Sequence, residues 1–292
     1  MKLSQRQQRT LAKPTTLSGF GYWTGCDLTA EFRPAAIDTG FVFVRNDLVP
    51  ERRIPATPDN RVITPRRTTL TQNGGTVEMV EHLLAALAGM QVDNCEIFVS
   101  APEMPAFDGS CKDAVEAIDA AGIVDQDATR PQFIVTEPIR VGSGECWIEA
   151  RPQFGGGGLS IRYELDYGEG PIGKQTFSSA VDPIRFRQEI APARTFLLEE
   201  AANQLREQGI SNRATFQDLL VFGPLGPIQN TLRFADECAR HKALDIVGDL
   251  ALVGFDISAE IIAHRSGHRQ NTELAAALLS RYKSVRQIRL SA

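Results

Sequence analysis

The sequence has few cysteines, and no two of them have the short spacing that is typical of metal-binding cysteine pairs. Its five cysteines are odd in number and contain no Cys-x-x-Cys pair, so neither a disulfide framework nor an all-cysteine zinc site is indicated. The chain also lacks an excess of basic residues, since its formal charge is −5 and its pI is near 5.5. Nucleic acid is therefore not an expected partner, because the charge pattern offers nothing that would attract phosphates.

Long apolar runs are absent as well. The longest one, at 83–90, is far too short to cross a bilayer, and the first thirteen residues lack the apolar segment of a signal peptide. With the cysteine pattern, these absences predict a cytoplasmic protein without stable membrane insertion. At 292 residues, of which 42% are hydrophobic, the chain is long enough for two globular domains.

The two halves of the chain repeat the same succession of patterns. Each half begins with two stretches in which apolar and polar residues alternate, as is typical of β-hairpins, and the first of the two ends in Arg-Pro. In the next helix of the first half, Thr76 is the predicted N-cap. A helical stretch closed by a glycine, a strand and an alanine-rich helix follow in each half, at 76–88, 94–99 and 112–121 and again at 234–253, 257–263 and 272–282. This order predicts a duplication; the alternative is a chance likeness between two α+β halves.

Strands grouped before helices predict an α+β fold with separate layers rather than alternating β-α-β units. The predicted domains are residues 1–129 and 130–292, divided near Arg130-Pro131. Two such domains facing each other would leave a cleft between them, which is a common position for a ligand.

Residues 193–225 have no counterpart in the first half and are a predicted insertion in the second domain. They contain a strongly helical stretch at 196–208, a glycine that would end it and an apolar strand at 218–222. These apolar residues could serve packing alone, or they could line a groove for a hydrophobic substrate.

Histidine is scarce, with only four residues, at positions 82, 241, 264 and 268, so the setting of each is informative. His241 and Asp245 lie four residues apart in a predicted helix, so their side chains project from one face, and Asp249 lies one turn further on. An imidazole and a carboxylate placed in this way supply two of the ligands that a catalytic zinc ion needs. On spacing alone, however, a surface ion pair is the commoner reason for such a pair.

In the first half, Glu81 and His82 interrupt an otherwise apolar helix. If His82 is a third metal ligand, Glu81 is placed to act as general base toward a water that the metal activates. The alternative is that both residues lie on the solvent face of an amphipathic helix.

His268 lies in a predicted loop, 266–271, that follows the last strand. It could act there as a general acid, with a helix-borne carboxylate such as Asp249 fixing its tautomer and favouring its protonated form. A solvated loop histidine is the alternative. His264 falls within the strand pattern and is predicted to be structural.

Nine ordered motifs carry a resemblance that runs along essentially the whole chain. They are Gln-Arg-Thr-Leu at 8–11, Phe-Arg-Pro at 32–34, Val-Glu-His-Leu-Leu-Ala-Ala-Leu at 80–87, Asp-Asn at 93–94, Glu-Met-Pro-Ala-Phe-Asp-Gly-Ser at 103–110, Ala-Arg-Thr-Phe at 193–196, Leu-Arg-Phe at 232–234, Arg-His-Lys-x-Leu-Asp-x-x-Gly-Asp at 240–249 and Ser-Gly-His at 266–268. With these motifs the chain resembles the LpxC family, the zinc-dependent UDP-3-O-acyl-N-acetylglucosamine deacetylases of lipid A synthesis. Together they favour the zinc site over the alternatives given above.

The resemblance implies an activity, a fold and a partner. The activity is zinc-dependent hydrolysis of the acetamide of an acylated UDP-N-acetylglucosamine, with iron(II) as the alternative metal. The fold is two similar β-α-α-β two-layer domains packed face to face, with the active site between them and an acyl passage formed by the insertion near 193–225. We expect a monomer whose partner is the acylated UDP-sugar.

The resemblance also implies roles for single residues. The metal ligands would be His82, His241 and Asp245. Glu81 would be the general base and His268 the general acid, with Asp249 as the partner of His268. The remaining implied roles are an oxyanion contact by Thr195, a diphosphate contact by Lys242, and further substrate contacts by Phe196, Phe216 and Asn271.

The sequence departs from the family pattern at the two ends of the substrate. The family's usual Gly-Leu-His-Thr-Gly reads Gly-Tyr-Trp-Thr-Gly at 21–25, so Trp23 replaces a histidine expected near the nucleotide. Arg213-Ala214 stands where the family commonly has a glycine pair, and Gln217 where it commonly has an acidic residue. Two alternatives therefore stay open: a paralogue that deacetylates another N-acetylated sugar nucleotide, and a non-catalytic homologue that binds sugar nucleotides.

Overall fold

Two sheets that share one five-strand order form the frame of the protein, in a computed structural model that describes residues 6–153 and 157–291. The first sheet has five strands, and the second has a sixth strand outside that order. The first half contains β1 (Gln7–Leu11), β2 (Thr15–Phe20), β3 (Asp27–Pro34), β4 (Phe41–Arg45), β5 (Arg52–Pro55), β6 (Arg61–Val62), β7 (Thr69–Gln72), β8 (Gly75–Glu78), α1 (Glu81–Gly89), β9 (Cys95–Val99), α2 (Lys112–Ala121) and β10 (Ile123–Thr129). The second half contains β11 (Gln132–Ile134), β12 (Ile139–Ser143), β13 (Cys146–Arg151), β14 (Leu159–Asp166), β15 (Lys174–Val181), α3 (Pro183–Arg185), β16 (Phe196–Leu198), α4 (Glu199–Glu207), β17 (Leu220–Gly223), β18 (Gly226–Pro227), α5 (Glu237–Leu250), β19 (Asp256–His264) and α6 (His268–Ser291). Short 3-10 turns lie at Pro58–Asn60 and Ala251–Val253, and a π-helical turn lies at Phe186–Ile190.

The strand order is β2-β3-β9-β4-β5 in the first sheet and β12-β13-β19-β14-β15 in the second. The central strand, β9 or β19, runs antiparallel to one neighbour and parallel to the other in both sheets. One helix precedes that strand and one follows it in each half, α1 and α2 in the first, α5 and α6 in the second. The predicted α+β fold is confirmed, and the repeated sequence patterns correspond to one topology used twice. The domain boundary at 129/130 stays a prediction.

Helices α1 and α5 contact each other, and this contact joins the two halves next to the candidate ligands. Gly248 of α5 lies at the closest point. A Cβ atom at this position would be 2.0 Å from the carbonyl oxygen of Glu81 at the start of α1, so only glycine permits this approach. Because α1 is enclosed in this way, even Glu81 and His82 at its first turn are buried.

The helix predicted at 76–88 begins later, at Glu81. Residues Gly75–Glu78 instead form β8, which pairs with β7 across a tight turn where Asn73 and Gly74 have φ angles of 51° and 77°. An asparagine-glycine turn with positive φ angles favours a hairpin. The prediction of Thr76 as an N-cap was therefore wrong, because the residue belongs to a strand that the turn creates.

The insertion also differs from its prediction at its first residues. Phe196–Leu198 form β16 rather than the start of a helix, because they pair in parallel with β17, and helix α4 begins only at Glu199. The apolar strand predicted at 218–222 lies at Leu220–Gly223. The loop predicted at 266–271 was wrong in part, since His268 is the first residue of α6.

The other predicted helices are present. Helix α2 matches its predicted range of 112–121, and the stretch at 234–253 appears as α5 followed by the 3-10 turn. Helix α6 extends the predicted 272–282 in both directions. Within the part of the chain that the structure describes, no helix is both long enough and apolar enough to cross a bilayer.

Candidate metal centre and active site

Three side chains from two helices form a compact group that could hold a metal ion. His82 comes from the first turn of α1, and His241 and Asp245 project from one face of α5. All three are buried, and their candidate ligand atoms lie within 4.8 Å of one another. The Nε2 atom of His241 is 3.4 Å from Asp245 Oδ1, and that of His82 is 3.8 Å from the same oxygen.

The protonation states of the group suit a cation. Burial, and then the neighbouring His241, lower the pKa of His82 to about 3, and burial likewise lowers the pKa of His241. Burial opposes ionisation of Asp245, but Lys242 and the nearby histidines outweigh it, so the pKa of Asp245 lies well below its ordinary value. At neutral pH the group therefore consists of two neutral imidazoles and one carboxylate, the forms that bind a metal.

The hydrogen bonds leave the ligand atoms free. His241 Nδ1 lies 3.0 Å from the carbonyl oxygen of Ala193, an arrangement that puts the proton on Nδ1 and turns the lone pair of Nε2 toward the group. Asp245 Oδ2 accepts a hydrogen bond from Lys242 Nζ at 2.8 Å. Asp245 Oδ1 is buried and has no hydrogen-bond partner among the described residues. An unpaired buried carboxylate oxygen is costly, and a divalent cation between it and two imidazoles would satisfy it, so the residues fit a metal such as zinc.

Glu81 lies beside this group, with its carboxylate held on one side only. Its Oε2 accepts a hydrogen bond from the backbone NH of Thr68 at 3.0 Å, and its Oε1 is 3.7 Å from His268 Nε2. Burial, with the charges of Asp249 and Asp245, raises the pKa of Glu81 to about 7, although His268 opposes the shift. A carboxylate with a pKa near neutrality can accept a proton and release it again.

His268 faces Glu81 and is held from behind by Asp249. Its Nδ1 lies 3.0 Å from Asp249 Oδ2. Burial opposes protonation, but the carboxylates of Asp249 and Glu81 outweigh it and raise the pKa of His268 to about 9. At neutral pH this histidine therefore carries a proton that it could donate.

Asn271 and Thr68 both donate hydrogen bonds to the carboxylate of Asp249. Asn271 Nδ2 donates to Asp249 Oδ2 at 2.9 Å, and its Oδ1 accepts from the hydroxyl of Ser266. Because its amide points inward in this way, Asn271 is not among the residues that line the cavity. The substrate contact predicted for it stays a prediction, while the structure adds a contact to Asp249 that the sequence did not predict.

Thr195 lines the same cavity, and one residue from each half holds its backbone. Its NH donates to the carbonyl of Gly109 at 2.8 Å, and its own carbonyl accepts from the NH of Leu220. Gly109 has a φ angle of +84°, and a Cβ there would lie 3.0 Å from Thr195 Cγ2 and 2.9 Å from the hydroxyl of Tyr22. The glycine of the Phe-Asp-Gly-Ser motif thus lets the two segments meet.

A cavity of about 580 Å³ extends from these residues into the insertion. It is lined by the metal group, Glu81, His268 and Lys242, and by apolar side chains of the insertion, among them Phe196, Ala202, Leu205 and Val221. Phe196 adjoins the polar groups, since its ring centre lies 5.5 Å from Lys242 Nζ. Asp245 holds the pKa of Lys242 above its ordinary value, although burial opposes this, so the lysine stays charged. Phe216 packs beneath Arg206 and is not among the lining residues.

Two of the residues that depart from the family pattern, Arg213 and Tyr22, each make a contact across the two halves. Arg213 Nη1 donates to the carbonyl of Gly25 at 3.0 Å and to Asp27 Oδ1 at 2.7 Å, and the hydroxyl of Tyr22 donates to the carbonyl of Asp218. Ala214, beside Arg213, lines the cavity.

Trp23 and Gln217 have different neighbours. The guanidinium carbon of Arg67 lies over the Trp23 ring, 4.1 Å from the ring centre, and Trp23 also lines the cavity. Gln217 Nε2 donates to the carbonyl of Gln229 at 2.7 Å. His264 lies apart from the candidate site, with Nδ1 2.7 Å from the carbonyl of Glu145 and its ring stacked on Trp147.

Comparison with known proteins gives one consistent result. Residues 8–280 match the family model described as LpxC, UDP-3-O-acyl N-acetylglycosamine deacetylase. A curated relative from Thermosynechococcus vestitus, named UDP-3-O-acyl-N-acetylglucosamine deacetylase, is 40% identical over 271 residues, which cover 93% of each chain. A protein of the same name from Brucella ovis is 37% identical over 275 residues, covering 94% of this chain and 95% of the relative.

Proposed function

This chain belongs to the LpxC family of UDP-3-O-acyl-N-acetylglucosamine deacetylases, and we propose that it hydrolyses the acetamide of an acylated UDP-N-acetylglucosamine, releasing acetate, as a step of lipid A biosynthesis. One observation on the residues of this chain supports the proposal independently of the family match. The unpaired buried Asp245 Oδ1 lies beside two neutral imidazoles, with a carboxylate of raised pKa and a protonated histidine on the same cavity. These are the groups that metal-assisted amide hydrolysis requires.

The metal in the proposal is zinc, held by His82, His241 and Asp245, with iron(II) as the alternative. When bound, zinc supplies a Lewis acid that polarises a carbonyl oxygen and makes a nearby water easier to deprotonate. The ligand set of two histidines and one aspartate supports either metal, because it accepts several divalent ions.

The protein's own residues move the protons. Glu81 takes a proton from the attacking water, which its raised pKa permits at neutral pH. Thr195 stabilises the oxyanion that develops on the acetamide carbonyl. His268 donates its proton to the amine nitrogen as the C–N bond breaks, and Asp249 keeps the imidazole oriented with Nε2 toward the cavity.

The lining of the cavity suits both parts of the substrate. The charged Lys242 would contact the diphosphate, and the apolar side chains of the insertion, including Phe196, would receive the acyl chain. Phe216 and Asn271 keep their proposed substrate roles, although neither lines the cavity in this structure. We further propose that two domains, 1–129 and 130–292, bound the site and that the insertion near 193–225 forms the acyl passage. Because one chain supplies every residue of the proposed mechanism, we propose that the enzyme is a monomer. Its proposed location is the cytoplasm.

A second candidate function is deacetylation of another N-acetylated sugar nucleotide. Trp23 under Arg67 supports it, because a large aromatic ring lines the cavity where the family commonly has a histidine. The two functions differ in whether an acyl chain is required.

The test is acetate release from acylated and non-acylated UDP-N-acetylglucosamine, with metal content measured on the same sample. We expect turnover of the acylated substrate that a chelator abolishes and zinc restores. Glu81→Gln should lower kcat by about 10²–10⁴-fold and retain the metal. Faster turnover of the non-acylated nucleotide would favour the second function, and metal without any acetate release would favour a non-catalytic binding protein.

A further inference from the structure

Thr68 connects the two halves of the active site, although it contacts no metal ligand and does not line the cavity. It lies immediately before β7 in the first half and is 1% exposed. Its hydroxyl donates to Asp249 Oδ1 at 2.5 Å, and Asp249 lies in α5 of the second half with no exposed surface. A hydroxyl bonded to a carboxylate at this distance is a strong, charge-assisted hydrogen bond.

The backbone of the same residue holds the other carboxylate. The NH of Thr68 donates to Glu81 Oε2 at 3.0 Å. One residue therefore fixes the carboxylate of Glu81 through its main chain and the carboxylate of Asp249 through its side chain, and a substitution of the side chain can remove the second contact while leaving the first.

Of the two carboxylate oxygens of Asp249, Oδ1 takes its hydrogen bond from Thr68. Oδ2 lies against His268 Nδ1 at 3.0 Å and accepts from Asn271 Nδ2 at 2.9 Å, whereas Thr68 is the donor to Oδ1. Without the hydroxyl, Oδ1 would be a buried acceptor without a donor, which costs free energy and favours rotation of the carboxylate. Such a rotation would move Oδ2 away from His268.

We propose that Thr68 is a positioning residue of the reaction: its hydroxyl fixes the Asp249 carboxylate, which in turn orients the imidazole of His268 toward the substrate nitrogen. The role of His268 in this inference rests on the proposed function. Thr68 itself touches neither substrate nor metal and acts only through Asp249.

The chain offers a matched control in the next residue. Thr69 is also buried, at 2% exposed, and its hydroxyl lies 2.8 Å from that of Thr64, which lines the cavity but has no role in the proposed mechanism. Thr68→Val removes the hydroxyl, keeps the shape and keeps the NH that binds Glu81, whereas Thr68→Ser keeps the hydroxyl. Thr69→Val makes the same chemical change one residue away.

We expect Thr68→Val to lower kcat by about 10–100-fold, as for other residues that orient a catalytic group, with KM and zinc content unchanged. Thr68→Ser should recover most of the lost rate, and Thr69→Val should match the wild type. In an Asp249→Ala background, Thr68→Val should cause no further loss, because the residue through which it acts is gone. Full activity of Thr68→Val, an equal loss in Thr69→Val, or losses that multiply in the double variant would each overturn the proposal.

A spectroscopic measurement separates this inference from the proposed function. In protein labelled with ¹⁵N at histidine, the ring signals of His268, assigned by their absence in His268→Ala, report the hydrogen bond to Asp249. We expect Thr68→Val to shift these signals and Thr69→Val to leave them in place, whether or not the acylated nucleotide is the substrate. Unchanged His268 signals in Thr68→Val would overturn the positioning role. If the wild type releases no acetate from the acylated nucleotide, only the proposed function is overturned.

Discussion

The candidate metal centre and the insertion at 193–225 are held in place by different kinds of contact. His82, His241 and Asp245 are at most 5% exposed, and they project from two helices whose spacing is set where Gly248 meets the carbonyl of Glu81. The insertion meets the first half partly at the surface, where the Arg213 and Asp27 side chains are 47% and 87% exposed. Buried contacts tolerate little change, whereas an exposed ion pair contributes little, so substitutions should abolish function at the first region and adjust it at the second.

The largest effect is expected at the metal group itself. His241→Ala removes a ligand and leaves the buried Asp245 carboxylate with one imidazole fewer, so we expect nearly complete loss of bound zinc and a fall in activity on the order of 10³-fold or more. Metal analysis after dialysis, together with acetate release, measures both. His264→Ala is the control, since that histidine stacks on Trp147 outside the site. A variant at 241 that keeps one zinc per chain would show that the ligand set is wrong.

The next effect concerns the two proton-transfer groups and their dependence on pH. The general base must be ionised, so with a Glu81 pKa of about 7 activity should rise as the pH increases through that region. The general acid must be protonated, so with a His268 pKa of about 9 activity should fall as the pH increases further. The positive charge of a bound metal shifts both limits toward lower pH.

His268→Ala should lower kcat by about 10²–10⁴-fold and remove the fall at high pH. The pH profile of kcat for wild type, His268→Ala and the control His264→Ala measures this. If the fall at high pH persists in His268→Ala, another group is the acid.

A smaller effect is expected where the insertion meets the first half at a partly buried contact. Tyr22→Phe removes the hydrogen bond from the Tyr22 hydroxyl to the carbonyl of Asp218 and retains the ring. We expect KM for the acylated nucleotide to rise by about tenfold or less, with zinc content and turnover of the non-acylated nucleotide unaffected. Equal changes for both nucleotides would mean that the contact supports the whole site rather than the passage.

The smallest effect is expected at the exposed contact. Arg213→Ala removes the ion pair with Asp27 and the hydrogen bond to the carbonyl of Gly25, and we expect KM for the acylated nucleotide to change by about threefold or less. The wild type should show a similar change when the salt concentration is raised, because salt screens exposed charges. A larger effect than that of Tyr22→Phe would reverse the ranking of the two contacts.

The sequence predicted those features whose causes lie close together along the chain. The spacing of His241 and Asp245 fixes their shared helix face, and the alanine-rich stretch at 112–121 has the same bounds as α2. Features set by distant pairing were missed. Phe196–Leu198 form a strand because they pair with Leu220–Phe222, more than twenty residues later.

Thr68 had no sequence signal for the same reason. Its two partners lie 13 and 181 residues away, in different halves of the chain, and a threonine before a strand resembles any other. The substrate-facing roles of Phe216 and Asn271 came from the family resemblance alone, and the structure places their side chains against protein groups.

The division of the proposed ligands between α1 and α5 would link metal binding to the folding equilibrium. An ion held by both helices binds the assembled protein and not a chain in which the helices have separated, so the free energy of binding adds to the free energy of unfolding. At a free metal concentration one hundred times Kd, this contribution is about 2.7 kcal/mol. Chelation should therefore lower the melting temperature as well as the activity, and the change in melting temperature should be larger the smaller the Kd for the metal is.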